Sequence, residues 1–276
     1  MLDKLLKAVA PVAAIAVAGA LAGSTTGCKG NFSINGMDGG VPLDELDMSG
    51  DAPDTLLLAA PVEVILKTGK SLKIAAKGDD EVIERLRFSN KDGELAIGTD
   101  DGNWGSNWSE GVKTVVNVTM PAPKSISIAG SGSVSAPTMA KEADITLAAS
   151  GSVTVDELKS ESLTLSIAGS GNIKAAGSAE KLELNIAGSG GAEMGALSAE
   201  KAEVTIAGSG SAVFASDGKV KANIMGSGDV RVVGRADCEV SSVGSGSLKC
   251  EAPAKETEPK KKKAGKKKSP KKKPKG

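Results

Sequence analysis

The most informative absences from this chain of 276 residues are histidine and tyrosine, neither of which occurs. Aromatic residues make up only 2% of the sequence. Without histidine, the chain lacks the usual general base near neutral pH and the commonest metal ligand. Carboxylates, lysine, serine and cysteine remain, so enzymatic chemistry is restricted rather than excluded. We predict neither a metal site nor a bound cofactor.

The formal net charge is zero, with 34 basic and 34 acidic residues, but the charge is unevenly distributed. Residues 255–276 contain 12 lysines against Glu256 and Glu258, which gives this segment a net charge of +10. Residues 28–254 carry a net charge of −11. The sequence therefore describes an acidic body followed by a strongly basic tail, and the two are interpreted separately.

Residues 1–27 have the composition of an export signal. Lys4 and Lys7 precede an apolar run from Ala8 to Ala22. That run is shorter, and richer in alanine and glycine, than a membrane-spanning helix of about 20 residues. It is typical of the apolar region of a signal peptide.

The segment from Thr25 to Cys28 resembles a bacterial lipobox, although Thr25 stands where leucine is usual. This resemblance implies that cleavage leaves Cys28 as the first residue, bearing the lipid. Lys29 follows where an inner-membrane retention signal would have aspartate. That implies an outer-membrane-anchored lipoprotein, either periplasmic or on the cell surface. The alternative is an ordinary secretory signal peptide followed by an incidental cysteine.

A glycine–serine corner recurs seven times at intervals of 18–20 residues. Its central serines are Ser131, Ser150, Ser170, Ser189, Ser209, Ser227 and Ser245. A fixed period near 19 residues is the signature of a solenoid. Apolar and polar residues alternate on both sides of the corner, which predicts a strand before and after each turn. We therefore predict an all-β fold, a right-handed parallel β-helix with about 18–20 residues per coil.

The two glycines of the corner differ in how strictly they recur. The second is present in all seven copies, whereas Ala149 replaces the first glycine once. We expect the second glycine either to take a positive φ or to lie where neighbouring corners leave no room for a Cβ atom. The first glycine is expected to be less constrained, and the serines to stack as a hydroxyl ladder. The corner is thus predicted to be mainly architectural.

The segments that precede the repeat carry a family resemblance. "VEVILKTGKSLKIAAKG" (62–78), "GELAIG" (93–98) and "VNVTMP" (116–121) lead in order to the "IAGSGS" coils. Over about residues 55–250 the chain resembles the head GIN domain family of auto-transporter adhesin-like proteins. The resemblance implies a β-helical bacterial protein that is lipid-anchored or surface-exposed. The lysine tail is not part of that family pattern.

These features divide the chain into four parts. Residues 1–27 are the predicted signal peptide, and residues 28–54 an acidic flexible linker rich in glycine and proline. Residues 55–250 form the predicted β-helix domain. Residues 251–276 are predicted to be a disordered lysine-rich tail, because they have no apolar periodicity.

Two pairs of residues are candidate sites. Trp104 and Trp108 lie in the polar loop 99–111, where they either form a partner-binding surface or cover one end of the apolar stack. Cys238 and Cys250 occur in register with inward apolar rows of the last coil. They either form a disulfide, which requires Cα atoms within about 7 Å, or remain two buried thiols.

We predict a non-enzymatic protein that presents a binding or adhesion surface to an unidentified protein or glycan. The alternative is a polysaccharide-active β-helix enzyme. The basic tail is predicted to bind anionic envelope polymers or extracellular nucleic acid without sequence preference. Alternatively, the tail is a solvated extension, or it contacts the acidic body and links neighbouring copies. The predicted contacts are Lys260, Lys261, Lys262, Lys263, Lys266, Lys267, Lys268, Lys271, Lys272, Lys273 and Lys275.

Overall fold

The chain winds into a parallel β-solenoid of about seven turns, which confirms the architecture predicted from the repeat. The computed structural model describes residues 40–100 and 114–251. Its helices are a 3-10 helix at Leu43–Glu45 and α1 at Asp80–Arg85. Its strands are β1 (Thr55–Leu58), β2 (Glu63–Thr68), β3 (Lys73–Lys77), β4 (Leu86–Lys91), β5 (Glu94–Thr99), β6 (Val115–Met120), β7 (Ser125–Gly130), β8 (Ser133–Ala136), β9 (Glu142–Ala149), β10 (Ser152–Gly169), β11 (Asn172–Gly188), β12 (Gly191–Gly208), β13 (Ser211–Ala215), β14 (Lys219–Gly226), β15 (Asp229–Val233), β16 (Asp237–Gly244) and β17 (Ser247–Glu251).

The strands that lead into the corners form one parallel stack, and the strands that leave the corners form another. The first stack runs through β7, β9, β10, β11, β12, β14 and β16. The second runs through β8, β10, β11, β12, β13, β15 and β17. Pairing follows the sequence repeat, so Ile167 lies beside Ile186, and Ile186 beside Ile206.

The core of the repeated coils includes four inward rows, which lie three and five residues before and after each corner serine. In the first six coils, every side chain of these rows is at most 6% exposed. Each fully buried aliphatic side chain contributes about 1.5–3 kcal/mol relative to its exposed state. Because no single coil buries its own row, this contribution depends on stacking.

The N-terminal end of the solenoid is closed by strands of reversed direction. β3 pairs antiparallel with β6, and β4 pairs antiparallel with β5. Helix α1 links β3 to β4, and its N-cap is Asp79. The Asp79 carboxylate accepts hydrogen bonds from the backbone N–H groups of Glu81 (2.9 Å) and Val82 (3.3 Å). Strand patterning does not predict this six-residue helix, since it spans less than two turns.

The described part of the predicted linker lies against this closed end. The Val41 N–H donates to the Phe88 carbonyl (2.9 Å), and the Phe88 N–H donates to the Val41 carbonyl (2.8 Å). Leu43 and Leu46 pack against the core. Contacts with the solenoid therefore extend back to Val41. The linker predicted from the sequence, in contrast, continues to residue 54. The acidic composition hides these few apolar contact residues.

The second glycine of the corner is required because neighbouring corners approach closely. A methyl group built on this glycine in the second to seventh corners would lie 2.6–2.8 Å from the carbonyl oxygen of its counterpart one coil earlier. None of these second glycines has a positive φ. Of the two explanations expected from the sequence, close approach is therefore correct.

The first glycine of the corner is the one with the unusual backbone conformation. In six corners its φ lies between 123° and 140°. In the remaining corner Ala149 takes a φ of 121°, which side chains rarely adopt. The expectation that this position is less constrained is therefore wrong, because the alanine is strained rather than freely accommodated.

Replacing Ala149 with glycine is expected to raise the free energy of unfolding by about 1 kcal/mol. Glycine removes the backbone strain, and this gain exceeds the entropy that glycine loses on folding. Urea unfolding at equilibrium measures the change. The neighbouring Ala148→Gly substitution is the matched control. Ala148 has no positive φ, so this substitution should lower stability. Equal effects at both positions would contradict the assignment of strain to Ala149.

Candidate interaction surfaces

The corner serines form an exposed column along one side of the solenoid. All seven are exposed, whereas the glycine that follows each of them in the first six corners is buried. The backbone N–H of the serine donates to the preceding coil in the last six corners, at distances of 2.9–3.2 Å. The backbone of the corner thus continues the ladder, while the side chain points to solvent.

The hydroxyl groups of this column take no part in holding the fold together. Among the side-chain hydrogen bonds of residues 40–100 and 114–251, none involves the hydroxyl group of a corner serine. The predicted stack of corner serines is therefore present as a column, but its hydroxyl groups are not hydrogen-bonded to one another. Seven exposed donors and acceptors remain, repeated at the coil spacing of about 4.8 Å.

A face of small residues flanks the serine column, and we call it the ladder face. It comprises two columns, Ser127, Thr146, Ser166, Asn185, Thr205, Asn223 and Ser241, and Ala129, Ala148, Ala168, Ala187, Ala207, Met225 and Val243. Asn185 and Thr205 are buried within the first of these columns. The Thr146 hydroxyl donates to the Asp144 carboxylate at 3.2 Å. Burial nevertheless raises the pKa of Asp144, against the lowering effect of that hydrogen bond.

Charged side chains on the outside of the coils form ion pairs between neighbouring coils. Nζ of Lys141 lies 2.6 Å from Glu161, and Nζ of Lys174 lies 2.9 Å from Glu193. The guanidinium of Arg231 lies 2.9 Å from Glu251. These exposed pairs contribute little to stability, because water and salt screen the attraction between the charges. They order the outer surface and do not converge on a reaction centre.

The register also places like charges side by side on neighbouring coils. The sequence of a single coil does not show this. Glu183 pairs with Glu203, and Lys181 pairs with Lys201. The sequence signal for both pairs is the alignment of the repeats: the glutamates lie six residues, and the lysines eight residues, before the corner serine. Within the described residues, no group of three or more acidic or cysteine side chains is arranged to hold a metal ion.

The C-terminal end of the solenoid is open, in contrast to the closed N-terminal end. Its last coil consists of β16 and β17, and no described strand pairs beyond them. Val240, the inward residue of β16, is 50% exposed, and Leu248 is only partly buried. The inward rows are thus partly exposed at this end, because the described part of the chain has no further coil beyond β16 and β17.

Cys238 and Cys250 are joined by a disulfide across this last coil, with their Cα atoms 6.8 Å apart. The register is the one expected from the sequence, since Cys238 pairs with Val220 and Cys250 with Val232. The alternative of two buried thiols does not describe this arrangement, as Cys250 is exposed. The disulfide links β16 to β17. Within the described residues, each of these two strands has a neighbouring strand on one side only.

Replacing both cysteines with serine is expected to destabilise the last coil by about 2 kcal/mol. The bond closes a loop with a sequence separation of 12 residues, and loss of that constraint favours the open form. Amide hydrogen exchange in β16 and β17 measures the opening. Exchange in β9 and β10 serves as the internal control and should not change. Unaltered exchange in the last coil would contradict the stabilising role.

The other predicted site residues lie outside the described residues. These are Cys28, Trp104, Trp108 and the tail lysines from Lys260 to Lys275. The structure therefore does not test the lipid site, the tryptophan loop or the tail. Across residues 40–100 and 114–251, no helix has the length and hydropathy needed to cross a bilayer.

The geometry defines a class of protein, a parallel β-solenoid that offers repeated outer faces for interaction. The chain belongs to the family described as "Putative auto-transporter adhesin, head GIN domain", whose family model matches residues 52–236. The resemblance drawn from the sequence is thereby confirmed. Membership indicates an adhesin-like protein of the cell surface or extracellular space.

Solved structures of low sequence identity share the fold. A "putative adhesin" from Bacteroides fragilis is 20% identical, with a TM-score of 0.63 over 73% of this chain and 92% of that one. One from Parabacteroides merdae is 19% identical, with a TM-score of 0.57 over 74% and 93%. A "putative lipid binding protein" from Parabacteroides distasonis is 24% identical, with a TM-score of 0.55 over 72% and 93%. No curated protein matches the chain.

Proposed function

We propose that this protein is a non-enzymatic adhesin of the bacterial envelope that uses its repeated outer surface to bind an extended partner. The observation that carries the proposal is the column of corner serines. Its hydroxyls are exposed in every coil, and they are not used by the fold. A hydroxyl array on a regular spacing suits a polar polymer, because each repeat of the partner meets an equivalent group. A glycan is such a partner.

Anchoring and tail binding complete the proposal. Cys28 attaches the protein to the outer membrane through a lipid, and the acidic body is held in the envelope by this tether. The tail, with a net charge of +10, binds anionic envelope polymers or extracellular nucleic acid. Lysine ammonium groups act here as separate point charges, which favours binding without sequence preference.

The triple substitution S170A/S189A/S209A tests the serine column. We expect binding to a bacterial glycan array to weaken about 10- to 1,000-fold, since each of the three lost hydroxyls removes a hydrogen bond of about 0.5–1.5 kcal/mol. The free energy of unfolding should change by less than about 0.5 kcal/mol, as these are exposed residues. Arrays probed with the purified protein and circular dichroism melting provide the two measurements.

The matched control is S178A/S198A. Ser178 and Ser198 are exposed and pair with each other in register on β11 and β12, away from the corners. This control should bind glycans like the unaltered protein. Full binding by the triple variant, or an equal loss in the control, would rule out the serine column as the binding surface.

A further inference from the structure

The open C-terminal end has the physical features of an interface. β16 provides eight residues of edge and β17 five, at right angles to the solenoid axis. Uncovered edges and exposed inward rows are avoided at the ends of stable solenoids, which carry polar capping elements. This chain has such a cap at its N-terminal end, formed by β3, β4 and α1. Because only the N-terminal end has a cap among the described residues, the C-terminal end is the candidate interface.

Within residues 40–100 and 114–251, some backbone donors of β16 have no strand partner. The Asp237 N–H donates to Gly218 (2.8 Å), and the Ser245 N–H donates to Gly226 (2.9 Å). Alternate residues of a parallel strand direct their N–H groups to opposite neighbours. The N–H groups of Cys238, Val240 and Ser242 therefore face away from β14, toward the open edge.

Residues 252–276 have too few large apolar side chains to cover this edge. Apart from prolines, the only apolar side chains in residues 252–276 are Ala252, Ala254 and Ala264. These are too small to cover Val240 and Leu248. A single extended peptide would also pair with only one of the two edge strands. An occupant that covers both strands needs the outline of a coil.

In a second copy of this chain, the C-terminal end of the solenoid has the shape of such a coil. Its N-terminal end carries β3, helix α1 and β4 in place of a regular coil, so that end does not match the outline of the last coil. Its own open end presents the same two edge strands, held together by the Cys238–Cys250 disulfide. A bonded last coil is preorganised for docking, which lowers the entropy lost on association.

We propose that the open end docks onto the open end of a second copy, which gives an end-to-end dimer with two-fold symmetry. A two-fold axis perpendicular to the solenoid reverses the chain direction, so β16 pairs antiparallel with its copy. Val240 becomes buried at the junction. We expect a reversible dimer with a dissociation constant of roughly 1–100 μM, since only the edge strands of one coil per copy meet at the junction. This inference does not depend on the proposed adhesive function.

Two substitutions of Val240 test the junction in the chain from residue 28 onward, with Cys28→Ser to prevent lipidation. Val240→Lys places a charged side chain on the inward row. The ammonium group stays hydrated when the end is free, but it would be buried at the junction of a dimer. Val240→Pro removes an edge N–H without removing a hydrogen bond to β14. Sedimentation velocity from about 1 to 100 μM should show a tenfold or larger rise in the dissociation constant for both variants.

Val243→Lys is the matched control on the same strand. Val243 is already 63% exposed and points outward on the ladder face, so this variant should dimerise normally. Small-angle scattering should show a maximum dimension close to twice that of the monomer. Deletion of residues 255–276 should leave the dimer intact or tighten it, because the two tails carry like charge.

Circular dichroism first establishes that each variant is folded. A protein that stays monomeric at 100 μM would overturn the proposal, as would variants of Val240 that dimerise like the parent. A side-by-side shape in scattering would place the contact elsewhere. Loss of the dimer on tail deletion would identify the tail as the linking segment instead.

Discussion

Replacing Gly210 with alanine is expected to lower the free energy of unfolding by about 3 kcal/mol. Gly210 is the second glycine of its corner. A methyl group there would lie 2.8 Å from the Gly190 carbonyl oxygen and 2.5 Å from Cγ2 of Ile186. Backbone and a buried β-branched side chain cannot yield without disturbing the stack. The φ of Gly210 is not positive, so the effect reports crowding alone.

Gly195→Ala is the control for this prediction. Gly195 is exposed, and the nearest atom to an added methyl group is Cγ1 of Val213 at 3.8 Å. The same substitution should there be neutral or stabilising by up to about 1 kcal/mol, since alanine loses less entropy on folding. Urea unfolding compares the two variants. If Gly210→Ala is as stable as Gly195→Ala, close approach does not explain the recurring second glycine.

Deleting residues 255–276 is expected to weaken binding to single-stranded DNA or heparin at least 1,000-fold at low salt. The deletion removes 12 lysines and leaves an acidic body that repels polyanions. If about ten lysines contact DNA phosphates, the logarithm of the binding constant should fall with the logarithm of salt concentration with a slope of about −7. Fluorescence anisotropy with oligonucleotides of several sequences should give equal affinities.

A full-length variant with every tail lysine from residue 260 onward replaced by arginine is the matched control. It preserves charge and length, so it should still bind. The corresponding glutamine variant should behave like the deletion. The thermal melt of the solenoid should be the same in all of them, because the buried core residues that the structure describes lie between Leu56 and Val232. Binding that survives the deletion would place the polyanion site on the body.

The inward rows of the solenoid follow from the sequence alone. Residues such as Ile186 and Ile206 recur with the corner period, and alternation with polar neighbours requires them to point inward. Both properties are local, so they can be read without knowledge of the fold. The same alignment places Cys238 beside Val220, which the register confirms. Family membership likewise follows from the order of the segments.

Other features depend on distances that the sequence does not contain. Replacement by Ala149 made the first glycine look tolerant, whereas the backbone there has a positive φ in every described corner. The distance between Cys238 and Cys250 depends on how the last coil closes around its corner. The closed N-terminal end requires long-range antiparallel pairing, such as that of β3 with β6.

The sequence by itself therefore determined the repeat, the core rows and the division into acidic body and basic tail. Each of these depends on residue type and spacing along one chain. The tertiary structure decided which glycine is crowded and which has unusual φ, that the serine hydroxyls are unused, and that one end of the solenoid is closed while the other is open. These properties arise only when coils lie against one another, because contact between coils sets the available space and the hydrogen-bond partners.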